Sequence, residues 1–243
     1  MTEPVRQLFP VAEPSDPDSV QAAVLVLHGG RAQSLQPVRS RQLAVLRMVP
    51  FALRIAAAGQ GRLAVQRLQF GVRGWNGAAM APIADANWAL AQLAERYPGR
   101  PIGLVGHSMG GRAVLRAAGH ERVRSVVGLA PWLPPGEPVD QLAGRQVLLV
   151  HGDQDRMTSA AGTGRYADQL AAAGVAASLV TILGGGHAML RRPALWHNLT
   201  AGFLIGTLLP ESELPDIELP VADGSTGPIS MPELIRGTAR VSV

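Results

Sequence analysis

Six short apolar runs, alternating with stretches of helical character, constrain this chain more than any other feature. They are Ala22–Leu27, Leu63–Phe70, Pro101–Val105, Ser125–Ala130, Gln146–Val150 and Ala177–Leu183, and five of them run into glycine within two residues. A short run that is apolar at nearly every position suits a strand covered on both faces, because a half-exposed strand would alternate apolar and polar residues. The intervening segments carry a longer period. Ile83, Ala86, Leu90, Leu93 and Tyr97 step by three and four before Pro98-Gly99, which marks one helix face and a stop. Ser40 to Ala58 reads as a helix with a kink at Pro50, Arg112 to Ala118 as a helix, Tyr166 to Ala173 as a helix ended by Gly174, and Leu195, Leu199 and Phe203 as one face of a last helix. Strands and helices in this alternation predict an α/β fold, a mostly parallel sheet flanked by helices on both faces.

The organisation follows from composition along the chain. Residues 1–20 hold prolines and acids and read as an irregular lead-in, 21–209 as the domain, and 210–243, opening with Glu211-Ser212-Glu213-Leu214-Pro215-Asp216, as an extended tail that wraps its own domain or contacts a neighbour, one route to a homo-oligomer. With 243 residues and 47% hydrophobic content the chain can bury a full core. No apolar run reaches the ~18 residues of a membrane span, and the N-terminus shows no basic segment followed by an apolar one, so a cytoplasmic location and no membrane partner are expected. The absence of cysteine excludes disulfides, thiol catalysis and thiolate metal sites. All 22 basic residues are arginine. They are scattered rather than concentrated, and aromatics make up only 4% of the chain, which argues against nucleic-acid binding.

The chemically suggestive residues fall at the C-terminal ends of the expected strands, where open α/β sheets place their sites. The third run leads through Gly106-His107-Ser108-Met109-Gly110-Gly111 directly into a helix. Leaving a strand and entering a helix within so few residues forces the central serine into a strained backbone conformation, and glycines two before and two after remove side chains that would collide. The serine hydroxyl is then presented at the sheet edge, and the following amide points where a negative oxygen would form. A serine hydroxyl is a weak nucleophile at neutral pH and needs a base. Further along, His151-Gly152-Asp153-Gln154-Asp155 follows the fifth run and Gly184-Gly185-Gly186-His187 the sixth, which supplies an acid and an imidazole in the order Ser, Asp, His. His28, His107 and His151 also sit beside glycines, but no metal-binding spacing accompanies them; turn-bracing roles are expected, with no metal and no cofactor.

These motifs, together with His28-Gly29-Gly30 after the first run and Arg73-Gly74-x-x-Gly77 after the second, resemble the α/β-hydrolase family over roughly residues 20 to 210. The resemblance implies Ser108 as nucleophile, His187 as base and Asp155 as the acid that orients the imidazole, with Asp153 the alternative acid or a turn brace. It implies an oxyanion hole from the backbone N–H groups of Gly30 and Met109, with Arg31 substituting if the loop is shifted by one. Where the family often has a proline in the acid loop, this chain has Thr158-Ser159. Only about fifteen residues lie between the runs ending at Ala130 and beginning at Gln146, so no large lid is expected and the likeness is to lidless esterases and dienelactone-hydrolase-like enzymes. The expected activity is hydrolysis of a small carboxylic ester or thioester. An acyltransferase or peptidase using the same three residues, and a catalytically silent binding module, are the alternatives. Trp75 and Trp132 could wall a pocket or simply pack, and Arg31 could hold a substrate carboxylate or remain solvated.

Overall fold

The computed structural model describes residues 5–14, 16–209, 231–237 and 239–243. Eight strands form one sheet: β1 (Gln7–Ala12), β2 (Ala22–Leu27), β3 (Leu63–Gln69), β4 (Ile102–His107), β5 (Val123–Leu129), β6 (Gln146–Gly152), β7 (Ala176–Ile182) and β8 (Arg240–Ser242). Their spatial order is β1-β3-β2-β4-β5-β6-β7-β8, with β1 antiparallel to β3 and every other pair parallel. The six apolar runs are the six central strands. β2 shows why they are apolar throughout: Ala23, Leu25 and Leu27 enter one core while Ala22, Val24 and Val26 enter the other.

Helices cover both faces. α3 (Ala81–Arg96), α4 (Met109–Ala117) and α5 (Ala160–Ala172) supply Leu90, Leu93, Val114 and Leu170 to the first core. α2 (Val49–Gly59), α6 (Pro193–Leu208) and α7 (Met231–Arg236) supply Phe51, Ile55, Trp196, Phe203 and Leu234 to the second. The helix expected over Ser40 to Ala58 is two helices, α1 (Leu43–Leu46) and α2, with Pro50 in the first turn of α2. Proline lacks an amide hydrogen and its ring collides with the carbonyl four residues back, so it opens a helix more readily than it bends one.

Both chain ends depart from the sequence reading. The lead-in contains β1, an edge strand interrupted by an irregularity between Pro10 and Ala12; an edge tolerates proline because one side of the strand needs no amide donor. The expected extended tail is structured at its far end. Met231 and Leu234 of α7 are buried, as are Val241 and Val243, and β8 adds to the exposed edge of β7, with Val243 N–H donating to the Thr181 carbonyl and Leu183 N–H to that of Val243. β8 then becomes the edge of the sheet, and with three residues it offers other chains little to pair with. Residues 210–230 lie outside the described residues. Among the described residues no helix is long and apolar enough to cross a membrane.

Only residues 130–145 separate β5 from β6, and they contain one short 3-10 turn, Asp140–Leu142. This segment is tied down by Glu137, nearly buried, whose carboxylate accepts from Arg112 Nε at 2.8 Å and Arg116 Nε at 2.6 Å, both on α4. The Arg112 guanidinium lies 3.8 Å from the ring centre of Trp75 and 4.7 Å from that of Trp132. Removing the carboxylate would leave two poorly solvated cations unpaired, so Glu137→Ala is expected to lower stability by about 3 kcal/mol. Chemical denaturation measures this, and a change below about 1 kcal/mol would show that the clamp is energetically idle.

Candidate active site

The turn after β4 has the geometry that its glycines suggest. Ser108 has φ 56° and ψ −116°, a region that side chains rarely occupy and that costs on the order of 1–3 kcal/mol. A Cβ on Gly106 would lie 2.1 Å from the Gly110 carbonyl oxygen, and one on Gly110 would lie 2.4 Å from that of His28. Larger residues are therefore excluded at both positions, and α4 starts against the end of β2 with the serine at the tip of the turn.

The acid and the base come from the next two strand ends. Asp155 Oδ2 accepts a hydrogen bond from His187 Nδ1 at 2.8 Å, and among the described residues the other ring nitrogen of His187 has no hydrogen-bond partner. Asp155 has no exposed side-chain surface and His187 retains 20%. Burial alone would raise the carboxyl pKa, but hydrogen bonds from the Thr158 amide, the His187 ring, the Thr158 hydroxyl and the Met157 amide outweigh it and hold the group at about 2. Thr158, in place of the family's frequent proline, thus supplies two of the acid's donors. Asp153 plays the bracing part: its carboxylate accepts from Gly184 N–H at 2.5 Å, tying the acid loop to the histidine loop.

Ser108 and His187 line one open cavity of about 300 Å³ together with Gly29, Gly30, Ala44, Arg47, His107, Met157 and Ala188. Among the described residues the Ser108 hydroxyl has no hydrogen-bond partner; such contacts are often long in unliganded sites and close on substrate. The amide of Met109, first in α4, has no intrahelical acceptor, and that of Gly30 has no backbone acceptor. Arg31 N–H, the substitute donor, is instead committed to the Arg73 carbonyl at 2.8 Å. Its side chain is exposed and outside the cavity lining. Trp75 and Trp132 also lie outside that lining and pack edge to face with ring centres 6.1 Å apart around Arg112; their indoles are spent on packing because Arg112 draws both toward α4. Only the backbone of Trp132 reaches the site, donating to the Ser108 carbonyl at 3.0 Å.

Three further histidines brace the loops. His28 Nδ1 donates to the Gly29 carbonyl at 2.7 Å and its Nε2 accepts from Phe70 N–H at 3.2 Å. His107 Nε2 donates to the His187 carbonyl at 2.9 Å, with the two rings 4.7 Å apart. His151 Nε2 lies 3.2 Å from Asp155 Oδ2, while its Nδ1 bonds Thr163 Oγ1 at 2.8 Å. Burial pushes His28 down to about 4, with Arg67 adding to it against the Gly29 bond. Burial and then the neighbouring His187 push His107 down to about 3. Both are neutral in the fold and titrate near 6.5 when unfolded, so the unfolded chain binds more protons between those values and stability falls as pH drops below about 6.5. Each histidine is expected to remove about 2 kcal/mol by pH 5. Urea midpoints at pH 7.5 and pH 5 check this, and equal midpoints would contradict it.

The strand order and these loops are those of the α/β-hydrolase fold. A sequence profile described as the alpha/beta hydrolase fold matches residues 73–173. Among solved structures, XC6422 from Xanthomonas campestris, described as an α/β serine hydrolase without lid, superposes with TM-score 0.61 at 16% identity, covering 86% of this chain and 90% of its own. Est1E from Butyrivibrio proteoclasticus gives 0.61 at 17%, covering 84% and 94%. The thermophilic esterase Est2 of Thermogutta terrifontis, bound to butyrate, gives 0.62 at 20%, covering 85% and 92%. At these identities the likeness establishes the fold. No curated protein matches the chain in sequence.

Proposed function

We propose that the protein is a serine hydrolase that cleaves a small carboxylic ester or thioester through an acyl-enzyme on Ser108. The observation that carries this reading is the 2.8 Å bond between Asp155 and His187 Nδ1, which leaves Nε2 available in the cavity that Ser108 lines. In the first half-reaction Ser108 Oγ attacks the carbonyl carbon while its proton passes to His187 Nε2, and Asp155 stabilises the imidazolium. The oxyanion accepts from the Gly30 and Met109 amides, each donor worth on the order of 3 kcal/mol in the transition state. Collapse expels the alcohol or thiol, which takes the proton from His187. Water then attacks the acyl group with His187 as base, releasing the acid and restoring Ser108. The short segment in place of a lid supports small, water-exposed substrates, and the esterases among the structural neighbours support the same chemistry.

Incubation with a fluorophosphonate probe tests this reading. Labelling confined to Ser108 is expected; a folded protein that takes no label would favour a silent binding module. Added alcohol that diverts the acyl group to a new ester in preference to water would favour an acyltransferase.

A further inference from the structure

We propose that Arg47 makes the Ser108 cavity a site for esters that carry a second, anionic group, a carboxylate at the far end of a short acyl chain; this rests on the hydrolase reading above. Arg47, at the C-terminal end of α1, lines the cavity beside Ser108 and His187. The residue is half-buried, and among the described residues its side chain makes one hydrogen bond, from Nη1 to the Ala188 carbonyl. Arg112 and Arg116, also half-buried, share Glu137, whereas among the described residues no acid forms an ion pair with Arg47 and no carboxylate lines the cavity. A guanidinium has five donors and never deprotonates at working pH, and placing one at a partly dry wall without a counter-charge is costly unless an anion arrives. Desolvation already pushes its pKa down, as expected of a cation lacking such a partner.

The surroundings favour that anion. The segments 28–48 and 184–192, which supply most of the cavity wall, contain six arginines and not one Asp or Glu. Asp155, the nearest carboxylate, has no exposed surface and is already engaged by His187, Thr158 and Met157. The mouth of the site therefore presents a positive field to approaching anions, and Arg47 offers a planar fork that carboxylates fill bidentately. Ala44, Met157 and Ala188 line the same cavity and offer apolar wall to the intervening methylenes.

Hydrolysis of monomethyl esters of malonate through adipate, each compared with the methyl alkanoate of the same length and followed by acid release, tests the proposal. The wild type should prefer the anionic ester by kcat/KM at one chain length or more. Arg47→Gln should reduce that preference about tenfold to hundredfold, with Arg47→Lys between. The ratio of the two substrates is the readout, because a merely structural role for Arg47, holding the His187 loop through Ala188, lowers both alike and leaves the ratio unchanged. An unchanged ratio in a folded Arg47→Gln protein whose Ser108 still takes a fluorophosphonate overturns the proposal. So does a wild type that favours the neutral ester at every length. Failure of the wild type to label at all overturns the hydrolase reading and removes the ground for this one, an outcome the labelling control separates from the other two.

Discussion

Ser108→Ala is expected to lower ester hydrolysis by about four to six orders of magnitude while leaving the folded protein intact. The loss is large because the hydroxyl forms the bond that splits the reaction into two easier steps, and no other hydroxyl or thiol stands in the cavity; its remaining lining is glycine, alanine, arginine, histidine and methionine. The residual rate would come from the Gly30 and Met109 amides acting on a water attack. Stability is expected to hold, because alanine keeps the same Cβ in the same strained turn at φ 56° and the hydroxyl makes no hydrogen bond to lose. Ser108→Gly removes the hydroxyl and the Cβ strain together, so it should be equally inactive yet melt at a higher temperature than Ser108→Ala. Initial rates on 4-nitrophenyl butyrate and thermal melts measure both effects. An alanine variant that keeps more than a tenth of the rate would remove Ser108 from the reaction.

Asp155→Asn is expected to reduce kcat by about 10⁴ with little change in KM, and the hydrogen bonds around the acid say why. Asp155 Oδ1 accepts from Met157 N–H at 2.7 Å and from Thr158 N–H at 3.0 Å. An asparagine must keep its oxygen there, because its NH₂ group cannot accept those protons. The NH₂ is then turned toward His187 Nδ1, which must accept, and the ring proton moves to Nε2. An imidazole in that tautomer cannot take the Ser108 proton. With its pKa held at about 2, the carboxylate also stays ionised across the neutral range and remains a counter-charge for the His187 ring. A loss of less than tenfold in a folded Asp155→Asn variant would show that the observed hydrogen bond does not direct the imidazole, and Asp153, held at Gly184, would not replace it.

What the sequence revealed and what it hid divide along physical lines. The central strands were readable because burial on two faces leaves no polar positions to blur them, as in Ala22–Leu27. The edge strands were hidden because one face and one edge meet solvent. β1 carries Gln7 and Pro10 among its apolar residues, and β8 is only three residues with Arg240 and Ser242 flanking Val241. Such short mixed segments owe their conformation to the neighbour they pair with. The turn at Ser108 was legible because few residue types survive between Gly110 and the His28 carbonyl. Thr158 and Arg47 gave no local signal, since a threonine in a loop and one arginine among 22 acquire meaning only when folding sets them beside Asp155 and Ser108. For Trp75 and Trp132 the sequence left pocket wall and packing both open, because a large aromatic after a strand suits either, and only the fold sets Arg112 3.8 Å from one ring centre and 4.7 Å from the other.

The central claim is a covalent acyl group on Ser108, and intact-protein mass spectrometry followed by peptide mapping tests it most directly. The folded protein is mixed with 4-nitrophenyl butyrate and quenched in acid within the first turnovers, before water attack removes the acyl group. The account predicts a butyryl adduct confined to the peptide containing Ser108, formed with a burst of nitrophenol and absent in Ser108→Ala. Turnover without any adduct, or an adduct on another residue that persists in Ser108→Ala, would contradict it.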